Sequence, residues 1–179
     1  MCFFLQGLSL GLAYVAPIGM QNLFVINSAL TRPRGRALVT ALIVIFFDVS
    51  LALACFFGVG AVMQRYEWLQ KIILLAGSLI VIWIGIGLIR AKPEEPGQTA
   101  ASGSLWKTVS TACVVTWFNP QAILAGTMML GAFHASLAPA QQLPFICGSA
   151  AASCLWFTGL TLVISFCKDR FHAGILRKI

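Results

Sequence analysis

Charged side chains are scarce in this sequence. They make up 9% of 179 residues against 59% hydrophobic, with a mean hydropathy of +0.91. Too little charge is present to clothe a soluble globular domain, so the composition places the chain in a bilayer. Acid is scarcest, with five Asp and Glu against twelve Lys and Arg and a net charge of +7. The basic surplus falls in short clusters between uncharged runs and not along one helical face, which argues against nucleic acid as a partner. The six cysteines, Cys2, Cys55, Cys113, Cys147, Cys154 and Cys167, include no CxxC pair and no Cys/His cluster. They read as small buried hydrophobes in apolar runs. His134 and His172 have no ligand partner at useful spacing, so neither metal nor cofactor is expected.

What is there is long apolar stretches. A hydrocarbon core of roughly 30 Å takes about 20 helical residues at about 1.5 Å each. Residues 3–30, 37–63, 72–89, 108–133 and 143–167 meet that length, and Asp48 is the one formally charged side chain inside them. The first run reads as a span and not a signal peptide, because no Lys or Arg precedes it and it is too long for an h-region. The expected architecture is an all-α polytopic membrane protein with five transmembrane helices in a single membrane transport domain, residues 1–179.

Orientation follows from the cations. Arg32, Arg34 and Arg36 follow the first run, Arg90, Lys92 and Lys107 the third, and Lys168, Arg170, Arg177 and Lys178 the fifth. The opposite loops hold only Arg65 and Lys71. By the positive-inside rule the N-terminus lies outside and the C-terminal tail in the cytoplasm. Tyr66, Trp68 and Trp106 fit interfacial anchors, and the basic tail could also touch anionic lipid.

The long hydrophilic connection "RAKPEEPGQTAASGSLWK", residues 90–107, reads as a flexible cytoplasmic linker. It divides a first half-repeat of three helices, 1–89, from a second of two helices plus a basic tail, 108–179. The halves echo each other: Pro17 lies in "APIGMQN" and Pro120 in "TWFNPQ", each beside amide side chains. The two runs cross in opposite directions, the pattern of an inverted-topology repeat whose interrupted helices mark a transport site. Pro17 lies roughly 21 Å in from outside, Pro120 roughly 18 Å and Asp48 roughly 17 Å from inside, so all three approach the midplane.

A proline within a helix cannot donate to the carbonyl four residues earlier, so Pro17 would free that of Ala13 and Pro120 that of Thr116. In hydrocarbon such groups need protein or a water-filled cavity. The half-helices resuming after each proline present amide N–H groups that suit a carboxylate, and freed carbonyls suit an ammonium. Gly19 would permit close backbone approach, with Gln21, Asn22, Asn119 and Gln121 supplying adjustable hydrogen bonds. The competing reading is that both prolines only kink helices for packing. Asp48 costs several kcal/mol at mid-bilayer if ionised. It reads as a counter-ion for substrate ammonium, as a proton carrier, or as a neutral structural group bonded to a neighbouring Ser or carbonyl. Gly7 and Gly11 form a GxxxG that reads as close packing within the bundle, with dimerisation as the alternative.

"FLQGLSLGLAYVAPIGMQNLFVINSAL", "FFDVSLALACFFGVG", "VTWFNPQAIL" and "SCLWFTGLTL" resemble the lysine exporter (LysE/RhtB) family of amino acid transporters, nearest its lysine and arginine exporter branch. The resemblance covers nearly the whole chain. It implies an exporter in the bacterial cytoplasmic membrane driven by the proton-motive force, with Pro17, Gly19, Gln21, Asn22, Asp48, Asn119 and Pro120 at the family's motif positions. The chain departs at Met20, where the family usually has a second proline, and at Ala125, where the branch tends to have an aspartate. A typical sixth span would need about 20 more residues beyond Ile179. The resemblance therefore implies either a truncated chain or a bundle completed by another copy.

The leading expectation is a secondary transporter, not an enzyme, exporting an amino acid of the basic, lysine- or arginine-like class. The alternatives are a truncated or accessory subunit without transport of its own, and a membrane thiol–disulfide relay, which would need thiols beside both breaks. Divalent metal export would want several intramembrane carboxylates and ranks below these. The expected partners are the small-molecule substrate and the lipid bilayer, with a homo-oligomer left open.

Overall fold

The computed structural model describes residues 2–58 and 105–176, together with Trp68, Ile72 and Leu75. Among the described residues every regular element is a helix. Helix α1 is Phe3–Val15, α2 Met20–Thr31, α3 Arg34–Phe57, α4 Leu105–Trp117 and α5 Pro120–Gly126. A π-helical turn, Thr127–Gly131, leads into α6, Ala132–Ser136, and α7 runs Pro139–Leu176.

Two helices are long and apolar enough to cross a bilayer: α3, and α7 over Pro139–Lys168. Two bent pairs also qualify when each is joined: α1 with α2, bent by 78°, and α4 with Pro120–His134, bent by 54°. The described residues thus supply two candidate spans, or four if each bent pair counts as one. The runs 3–30 and 108–133 are the bent pairs. The run 37–63 starts earlier, at Arg34, and its helix closes at Gly58, whose φ of 121° lies in the region glycine favours at a C-terminus. The run 143–167 extends at both ends, with Pro139 at the first helical position, where its missing N–H costs nothing. Apart from Ile72 and Leu75, the run 72–89 lies outside the described residues, as do linker residues 90–104, Arg65, Tyr66, Lys71, Arg177 and Lys178. Trp68 and Trp106 are exposed.

The inward face of α3 repeats at helical spacing: Ala37, Ala41, Val44, Ile45, Asp48, Leu51 and Cys55 are buried, while Leu42 and Phe46 point outward. Asp48 therefore enters the bundle because it occupies the apolar stripe.

The closest helix packing joins α1 to α7 through glycines. A Cβ on Gly7 would run into the Phe145 carbonyl, and one on Gly148 into the Phe4 carbonyl. A Cβ on Gly11 would meet Ser149 and Ala152. The GxxxG is thus used within the chain, and small residues let two backbones approach where hydrophobic exclusion gives no drive. Phe145 and Phe157 fill the core beside Val25, Val44 and Leu130.

One expectation is corrected here. Cys55 is buried, but Cys2, Cys147, Cys154 and Cys167 are exposed and Cys113 is intermediate. A helix apolar on all sides does not reveal which side faces in, so the cysteine positions on such helices were not readable from composition.

Candidate functional site

Between Val15 and Met20 the chain leaves the helix. Ala16 N–H still bonds the Leu12 carbonyl, and Gly19 takes the N-cap position of α2 with no side chain capping it. The turn is held from α2 itself: Asn22 Nδ2 donates to the Val15 carbonyl at 3.1 Å and the Pro17 carbonyl at 2.8 Å. Asn22 Oδ1 accepts from Trp156 Nε1 of α7 at 2.9 Å. In a bilayer these exposed carbonyls need such partners, and Asn22 supplies them. In this conformation its amide braces the break.

The second break is built differently. Asn119 is the N-cap of α5, and its Oδ1 accepts from Gln121 N–H at 3.1 Å and Ala122 N–H at 3.4 Å. Pro120 follows at the first helical position, which suits its fixed φ and absent N–H. Neither proline interrupts a helix: Pro17 lies in the break between α1 and α2, and Pro120 opens α5. The Thr116 carbonyl expected to be freed accepts from Asn119 N–H at 3.3 Å. It is the Thr116 hydroxyl, fully buried, that has no hydrogen-bond partner. Trp117, just before the break, donates from Nε1 to Ser50 Oγ on α3 at 3.1 Å.

The two breaks meet. A Cβ on Gly19 would lie 3.5 Å from both Asn119 Nδ2 and Gln121 Oε1, so little more than a methyl group fits between them. Tyr14, Pro17, Gly19, Gln21, Asn119 and Gln121 line a cavity there of about 30 Å3, with Ala122 and Ala125 also in its wall. That holds one or two waters, against roughly 300 Å3 at the small end of ligand pockets. This conformation leaves no room for an amino acid at its polar junction.

Asp48 lies one side chain away and is fully buried. Its Oδ1 accepts from Gln21 Nε2 at 3.3 Å, and its Oδ2 from Ser153 Oγ of α7 at 2.6 Å. Both partners can serve either protonation state: the Ser153 hydroxyl rotates, and the Gln21 amide can turn its oxygen toward an acid proton. Gln21 lines the cavity and also bonds Asp48, so it links the carboxyl to the junction.

The structure brings Pro17, Gly19, Gln21, Asn119 and Gln121 around one cavity, with Asp48 reached through Gln21 and Asn22 beneath the first break. Thr116 and Pro120 flank the second break. Sequence reasoning missed Tyr14, Ser153 and Trp156. The last two lie in "SCLWFTGLTL", a motif quoted for the resemblance but given no role. No disulfide joins the breaks: the six cysteines are free, and Cys55 Sγ contacts Thr127 Oγ1 and the Ile123 carbonyl at 3.9 Å each. Among the described residues no group of three His, Cys, Asp or Glu could hold a metal ion.

At one end of the bundle Arg32 Nη1 donates to Thr108 Oγ1 at 2.9 Å and Thr40 Oγ1 at 3.4 Å. The Arg32 carbonyl accepts from Lys168 Nζ at 3.4 Å. The end of α2, the starts of α3 and α4 and the far part of α7 thus converge on Arg32. Arg34 lies 4.3 Å over the Phe166 ring, a favourable cation–π distance.

The family described as LysE type translocator matches residues 12–179. The arginine exporter protein ArgO of Klebsiella pneumoniae (strain 342) is 31% identical over 181 residues, covering 99% of this chain and 85% of the relative. ArgO of Salmonella schwarzengrund (strain CVM19633) is 30% identical over the same shares. No solved structure matches the chain. The interrupted helices, the buried acid and these matches together lead to one conclusion: the chain belongs to the LysE type translocator family.

Proposed function

We propose that this chain exports an amino acid through the junction of its two broken helices, with Asp48 as the coupling group. Membership of the translocator family makes it a membrane transport protein and not an enzyme. The relatives named as arginine exporters favour a basic amino acid as substrate. The observation that carries the reading is the convergence of Gly19, Asn119 and Gln121 on a cavity whose wall, Gln21, is bonded to a fully buried carboxyl.

The cycle alternates access between two half-repeats in a bundle of five spans, N-terminus outside and C-terminal tail in the cytoplasm. What supports the inverted relation is that Arg32, at the end of the first bent pair, bonds Thr108 at the start of the second, so the pairs run from opposite ends. A cavity with room for only a water or two fits a step in which no guest is held. Proton-motive force drives export when Asp48 exchanges a proton with one side and Gln21 follows the change.

A dipeptide-feeding assay tests the reading. Cells loaded with arginine-, lysine- or neutral-residue dipeptides should release the freed amino acid faster with the chain than without it, and basic residues fastest. Equal release for every dipeptide would refute the proposal.

A further inference from the structure

We infer that Tyr14 and the start of α2 form the subsite for the substrate's carboxylate; this rests on the export reading and assigns one end of the guest. The two half-helix starts are not equivalent. At α5, Asn119 covers the amides of Gln121 and Ala122, and Pro120 has no N–H, so the chain has satisfied that start itself. At α2 the N-cap is Gly19 and no side chain covers the first amides. This start borders the cavity lined by Pro17, Gly19 and Gln21.

A second, independent feature marks the same cavity. Tyr14 lines it, is only 6% exposed, and its hydroxyl has no hydrogen-bond partner. Gly126 gives the ring room: a Cβ there would lie 3.3 Å from Tyr14 Cε2 and 3.0 Å from Cys55 Sγ, so the phenol is held by packing and not by bonds. A phenolic O–H and uncapped helix amides are all donors, and the helix start carries partial positive charge. A carboxylate answers both, since its two oxygens accept from amides and hydroxyl at once and charge-assisted bonds are the stronger kind. The specificity that follows is for the carboxylate: an amine lacking it leaves those donors unmet.

The test is binding to the purified full chain in detergent, read as thermal stabilisation by a panel of α-amino acids and by agmatine, the decarboxylated form of arginine. Stabilisation by an α-amino acid, none by agmatine, and an apparent Kd about tenfold weaker in Tyr14→Phe with the unliganded melting temperature unchanged would support the subsite. Binding by Tyr14→Phe equal to the parent, agmatine binding as well as arginine, or no α-amino acid binding at all would overturn it. The agmatine comparison needs only the parent chain, so it decides even where the variant is poorly made. A chain that binds in the expected pattern yet releases nothing from cells would uphold the subsite and refute export.

Discussion

At the scale of single residues, the site is organised by which polar atoms already have partners. Asp48 accepts from Gln21 and Ser153, so removing either leaves a buried carboxyl with one bond fewer. Ser153→Ala should cost roughly 1–3 kcal/mol of stability, and more when the carboxyl is charged. Thermal unfolding of the purified variant measures the loss, which should shrink in the double variant with Asp48→Asn, because the two share one bond. Asp48 was legible in the sequence because a lone charge in an apolar run has few readings. Ser153 and Trp156 were not, because serine and tryptophan are ordinary on such helices and their partners lie 105 and 134 positions away. Asn119 was half legible: it was read for its hydrogen bonds at the break, but not for the N-cap that Asn before Pro makes.

At the scale of elements, two devices fix the geometry. One is the glycine seam between α1 and α7. Gly148→Leu should destabilise the fold by at least about 1–3 kcal/mol, since the obstruction is backbone that cannot swing aside. Gly35→Ala on α3, where nothing lies within 4 Å, should change nothing beyond helix propensity, and membrane protein levels of the pair compare the two. The other device is the α5 cap. Asn119→Ala should cost about 1 kcal/mol through two uncapped amides, and Asn119→Ser, which keeps a neutral capping acceptor, should recover most of it. The GxxxG was legible as bundle packing because small residues are the usual means of close approach in lipid. The bend of each pair was not, because a proline's position tells where a helix stops but not how its successor is aimed.

At the scale of the whole molecule, Arg32 is the unanticipated feature. It was read only as one of three cations setting topology, yet it joins the ends of α2, α3, α4 and α7 through Thr40, Thr108 and Lys168. On the export cycle proposed above, this end parts for the guest to enter. With the exposed cysteines replaced by serine, cysteines introduced at Arg32 and Thr108 and joined by a short bifunctional thiol reagent should stop release. The same two substitutions without the reagent should leave release running, and release that continues after joining would place the moving end elsewhere.

The central claim is that the buried carboxyl beside the junction powers transport and does not merely hold α2 to α7. It is tested most directly by the initial rate of amino acid release from preloaded cells, comparing the parent chain with Asp48→Asn at matched membrane levels across external pH. The substitution keeps size and can still bond both neighbours once the Ser153 hydroxyl or the Gln21 amide turns to accept, while it removes the titratable group, so release should fall to the level of cells lacking the chain, at every pH. Release at the parental rate with the parental pH dependence would contradict the account.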